Sequence, residues 1–120
     1  MHVELPSILC LNEAWLDKSV ESLDITGSVC LSRRDRPLRK GGGVAVYARS
    51  TFSSHATPVL ESPEYERVWL LVHADIGPIL LCNWYRPQAA GEVGSISSFE
   101  TEWLGLSTMA IGTVRVGDLN

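Results

Sequence analysis

The residues best placed to do chemistry close the chain: Val114-Arg115-Val116-Gly117-Asp118-Leu119-Asn120. Val114 and Val116 alternate with Arg115, the period-two signature of a strand. Asp118 and Asn120 therefore fall on irregular chain just past a strand end, where a rigid sheet can hold a group against its target. Glu13 repeats the arrangement near the other terminus, following the apolar run Ile8-Leu9-Cys10-Leu11 and Asn12. If these two strands neighbour each other, both carboxylates emerge at one sheet edge. That is a setting for Mg²⁺, which takes one or two carboxylates, keeps several waters and completes its octahedron with phosphate oxygens. Spacing alone favours a plainer use of Glu13 and Asp118, as caps of a turn or helix.

Two further groups bear on phosphate. Asn83-Trp84-Tyr85-Arg86-Pro87 ends another apolar run, and the Tyr85 hydroxyl and Arg86 guanidinium are both donors suited to a phosphate oxygen. The alternative makes Trp84 and Tyr85 packing aromatics and Arg86 a solvated charge. Arg33, Arg34, Arg36, Arg39 and Lys40 hold half of the chain's 10 cations. Against a polyanion each adds a non-specific, salt-dependent attraction; the alternative is a solvated loop that Asp35 partly neutralises. Gly41-Gly42-Gly43 is not a Walker loop, since no Gly-Lys-Ser/Thr follows and a strand rather than a helix comes next. Its glycines serve flexibility or close backbone approach. His2, His55 and His73 are scattered, and His73, inside an apolar strand, reads as a hydrogen-bonded interior side chain. No Ser/His/Asp or Cys/His set can be assembled from spacing.

The elements that must position these residues follow from periodicity and punctuation. After the first strand, residues 14–25 are mixed, with Trp15 and Leu16 packing. Strands are expected from Gly27 to Arg33 and over Val44-Ala45-Val46-Tyr47-Ala48, behind the glycines. Residues 50–66, rich in Ser, Thr, Pro and Glu, read as loop with a short edge strand near Val59. Arg67 to Ala74 and Pro78 to Trp84 flank Asp75-Ile76-Gly77, a hairpin signal. Both runs are apolar on both faces, as central strands covered on each side are. Residues 85–96 read as loop. Ser97 and Glu100 have capping-box spacing, and Phe99, Trp103, Leu106 and Ala110 share one helical face. Gly112 ends that helix and the last strand follows. Strands, hairpin, helix and strand make an α/β or α+β layered domain.

Composition sets bounds on this reading. The 120 residues amount to one domain or part of one. With 45% apolar residues the chain can bury a core, and a net charge of −4 argues against a bulk nucleic-acid-binding surface. Cys10, Cys30 and Cys82 sit in apolar runs without metal-ligand spacing, as reduced intracellular thiols do. Glu4 and Pro6 stand where a signal peptide has its basic region. No run nears the roughly 20 apolar residues of a membrane span, so a soluble nuclear or cytoplasmic protein is expected.

Four segments in order carry a resemblance: Leu11-Asn12-Glu13-Ala14-Trp15-Leu16, Gly41-Gly42-Gly43-Val44-Ala45-Val46-Tyr47, Asn83-Trp84-Tyr85-Arg86-Pro87 and Val116-Gly117-Asp118-Leu119-Asn120. Together they resemble the endonuclease/exonuclease/phosphatase superfamily, and within it the endonuclease domains of non-LTR (LINE-type) retrotransposons. The resemblance implies a four-layer α/β/β/α sandwich and Mg²⁺- or Mn²⁺-dependent cleavage of phosphate esters. It makes Glu13 the metal-binding glutamate and Tyr85 a contact to the scissile phosphate. Asp118 then orients the attacking water, with Asn120 as its partner. DNA is the implied substrate, with Arg33, Arg34, Arg36 and Arg86 as nucleic-acid contacts and a reverse transcriptase domain in the same polyprotein. No counterpart is found for the family's first strand, with its Asn, or for its closing Asp-His motif. The expectation is therefore a partial domain over 1–120, inactive alone without its missing half. The alternatives are a phosphatase of the same superfamily, or a non-catalytic remnant that binds nucleic acid or a partner protein.

Overall fold

The computed structural model describes residues 8–12, 27–34, 43–63, 65–85 and 92–117. They form a mixed α/β arrangement of two sheets and one long helix. Sheet A holds β1 (Ile8–Asn12), β2 (Ser28–Arg34) and β3 (Val44–Arg49) in the order β1-β3-β2, all antiparallel. Sheet B holds β4 (Ala56–Glu61), β5 (Arg67–Ala74), β6 (Gly77–Trp84) and β7 (Gly112–Val116) in chain order. Its first two pairings are antiparallel, and β6 and β7 run parallel. That parallel step requires a crossover, which helix α1 (Glu92–Leu106) and a short 3-10 turn at Ser107–Met109 supply.

The sheets pack face to face. Val44 and Val46 of β3 meet Val68 and Leu70 of β5 and Tyr85, with Ile8, Cys10 and Leu31 against them. Alternate residues of β5 and β6 point the other way: Trp69, Leu80, Cys82 and Trp84 pack on Phe99 and Leu106 of α1. This is why both hairpin runs are apolar on both faces, as the sequence predicts. On the outer face of sheet A, Ala45 and Tyr47 are also buried. The edge position of β4 accounts for Pro58, which lacks a ladder donor and sits where the register shifts between Pro58 and Leu60.

Several sequence expectations need correction. The strand near Val59 is a full edge strand of six residues. α1 begins at Glu92, inside the expected loop, so Ser97 and Glu100 are not a capping box. Ser97 lies within the helix, its carbonyl accepting a 3.0 Å bond from the Thr101 hydroxyl. Packing overrides weak local propensity here: Gly94 lies so close to Tyr65 that a Cβ would stand 3.0 Å from its hydroxyl. Gly112 opens β7 instead of ending the helix. Trp103 lies at the rim of the helical face, donating to Thr113 Oγ1 over 2.9 Å. His73 is exposed, because β5 runs out past the core towards its hairpin turn. No helix among the described residues is long and apolar enough to cross a membrane.

Candidate functional site

Strand polarity brings the candidate segments to one margin. β1 and β2 both end opposite Val44, where β3 starts. In sheet B, β6 ends at Trp84, opposite Arg67, where β5 starts. Parallel β7 ends on the same side, with Asn83 beside Val116. The two sheet margins are then fastened to each other. The Asn83 carboxamide donates to the carbonyls of Leu11 and Ala45, each at 3.1 Å. The Gly43 amide donates to Glu66 Oε1 at 2.9 Å, and the Tyr85 amide donates to the Glu66 carbonyl at 2.9 Å. The ends of β1, β2, β6 and β7 and the starts of β3 and β5 thus share one rim.

Glu13, Asp118 and Asn120 lie outside the described residues, as do Arg36 and Arg86. The strands that lead into Glu13 and Asp118 nevertheless stop at this common rim. Tyr85 is buried at 9% exposure, packed with the inter-sheet valines. Trp84 is a core aromatic, stacked on Phe99 at 5.0 Å between centroids. Arg33 is half-buried near the end of β2 and is not a free cation. Arg34 is the last residue of that strand, so the basic segment starts at the same rim.

Gly117 shapes the exit from β7. Its φ is +119°, open to glycine at little cost. A Cβ there would run into the Trp84 carbonyl oxygen and stand 2.9 Å from that residue's carbonyl carbon and amide nitrogen. The backbone of the Gly117-Asp118-Leu119-Asn120 segment therefore starts in direct contact with the peptide of the Tyr85 segment. Glycine is required here by close approach.

Sequence reasoning missed a buried ion pair beside this rim. Arg67 is fully buried, its Nε 2.9 Å from Glu102 Oε1 and its Nη2 2.9 Å from Oε2. The same carboxylate accepts from Trp69 Nε1 at 2.7 Å, Ser62 Oγ at 2.9 Å and Ser98 Oγ at 3.1 Å. The guanidinium also stacks over Trp84, 4.6 Å from its centroid. Burial pushes the Glu102 carboxyl up, but hydrogen bonds from Arg67, Trp69 and Ser62 outweigh it and hold the group below its ordinary 4.5. This network anchors α1, with both Glu102 oxygens and the Nε and Nη2 arms of Arg67 engaged.

Burial pushes the Cys10 thiol up to about 11 and the Cys82 thiol up to about 12, so both stay protonated at neutral pH. Carboxylates suit a hard divalent cation; Glu13 and Asp118, the two carboxylates the sequence offers for one, lie outside the described residues. Among the described residues no three His, Cys, Asp or Glu side chains gather as a metal site. No protein-family model matches the chain, and no curated protein or solved structure does either.

Proposed function

We propose that this chain carries the metal- and phosphate-binding rim of a phosphodiesterase of the endonuclease/exonuclease/phosphatase type, with DNA as substrate. The observation that supports it is the Asn83 link, which fastens the end of β1 to the ends of β6 and β7. In this reading Glu13 and Asp118 leave their strands together and hold Mg²⁺ or Mn²⁺. Such an ion neutralises phosphate charge in the transition state. Asp118 and Asn120 orient the attacking water, and Tyr85 steadies the phosphate. The two packed sheets with α1 on one outer face would be three layers of a partial α/β/β/α sandwich.

Calorimetric titration with Mn²⁺ tests the reading. Saturable binding that disappears in both Glu13→Gln and Asp118→Asn, with folding intact, supports it. Binding unchanged by both substitutions overturns it. A different reading, a nucleic-acid-binding domain without catalysis, draws on the basic segment that begins at Arg33 and Arg34 on the same rim. It requires DNA affinity that falls steeply with salt and is indifferent to Mn²⁺.

A further inference from the structure

Asn83 is fully buried one residue before the end of a hairpin strand, and its neighbours on either side, Cys82 and Trp84, face the helix. A carboxamide in such a place costs free energy unless its donors and acceptor are all matched. Its two donors go to Leu11 and Ala45, a directly opposed pair of β1 and β3. Its own backbone lies beside Val116 in the ladder with β7. One residue therefore belongs to the strand that precedes Tyr85, bonds through its side chain to the strand that precedes Glu13, and lies by its backbone beside the strand that precedes Asp118. An apolar side chain would pack the two sheets as well, but would fix their relative advance less sharply, since dispersion contacts are not directional. Two hydrogen bonds to carbonyls at fixed positions are directional and set the relative advance of the sheets.

We infer that Asn83 is a positioning residue: it sets how far β1 advances relative to β6 and β7, and so the separation of the groups on the rim. The inference deepens the proposed function and rests on that reading for its metal-binding consequence, though the alignment itself does not. Glu66 supplies a second fastening between Gly43 and Tyr85, so loss of Asn83 shifts the rim without separating the sheets. Residues that orient metal ligands from behind typically change affinity by about 10- to 100-fold when removed.

The test uses the full chain, with Asn83→Leu as the principal variant and Asn83→Ser, which keeps one donor, as the milder one. Leu80→Ala is the control, because Leu80 lies in the same strand but packs towards α1. Two readouts are taken: Mn²⁺ affinity by calorimetry, and the amide resonances of Leu11, Tyr85, Val116 and Gly117. The expected result is displaced amide signals at all four residues, with Mn²⁺ binding weakened about 10- to 100-fold in the Asn83 variants. Leu80→Ala loses stability while keeping its Mn²⁺ affinity. Unmoved amides in a folded Asn83 variant overturn the inference, as does unchanged Mn²⁺ affinity in a wild type that binds the ion. If the wild type binds no Mn²⁺ but the amides move, the alignment role stands and the metal reading alone falls.

Discussion

Replacing Glu102 with alanine strands the Arg67 guanidinium in the interior. Arg67 is 0% exposed and Glu102 is 11% exposed, so neither charge has much water to fall back on. The substitution removes both Arg67 bonds and the acceptor for Trp69, Ser62 and Ser98. Breaking a buried pair by removing one partner costs about 3–5 kcal/mol. Domains of this size have roughly 5–15 kcal/mol of stability in all. The expected drop in the thermal midpoint is roughly 10–20 °C, from the usual scaling of free energy to midpoint. Urea unfolding followed by tryptophan fluorescence measures it, because Trp69 and Trp84 both stack against Phe99 beside the pair. The double replacement Arg67→Met, Glu102→Met is expected to recover only part of the loss: it removes the stranded charge but still takes away the Glu102 acceptor of the buried Trp69 Nε1 and Ser62 Oγ. The pH dependence follows from the sign of the shift. The Glu102 carboxyl is held below its ordinary 4.5, so its contribution is fully present above that value and is lost as pH falls through the folded-state pKa. Glu102→Gln removes this part of the acid-unfolding slope. A Glu102→Ala cost below about 1 kcal/mol, the range of exposed pairs, would refute the reasoning.

Gly117→Ala is expected to destabilise by more than about 1 kcal/mol, because the backbone conformation is strained for alanine and the new methyl meets the Trp84 peptide. Chemical unfolding measures the cost, and amide signals at Trp84 and Tyr85 report the displacement; a neutral variant contradicts the close approach. Cys10 and Cys82 are expected to react with thiol reagents only slowly in the folded protein and fully after denaturation. For Cys10, at about 11 against an ordinary 9.0, the thiolate population falls about a hundredfold. Mass mapping of alkylated peptides identifies which thiols react first, and early labelling of Cys82 would contradict its burial.

β3, β5 and β6 were legible because their apolar runs match covered faces on both sides, and β5 and β6 read as a hairpin across Asp75-Ile76-Gly77. The start of α1 was not legible. Val93-Gly94-Ser95-Ile96 has little helix propensity, and the helix that includes it is tied to the sheet by Arg67, which bonds Ser98 and Glu102. That coupling spans over thirty positions and leaves no local mark. Arg67 and Asn83 were read only as members of their strand runs, yet both are buried polar residues that hold packed layers together. A polar residue between Cys82 and Trp84 was the available signal for Asn83. His73 misled because apolar neighbours say nothing about whether a strand projects beyond its core. Glu66 was not singled out because its partner, Gly43, lies on the other sheet.

Glu66, Arg67 and Val68 alternate across sheet B: the carboxylate turns to Gly43, the guanidinium to Glu102 and the valine to the core between the sheets. Sliding β5 by one position would drive the guanidinium among Val44 and Val46 of β3 and turn Val68 towards Glu102. Two ions would then be stranded on opposite sides of one sheet, each a cost of several kcal/mol. The hairpin is thus locked in phase by charge. A frameshifted pairing that would satisfy every backbone hydrogen bond is forbidden by where its ions would land.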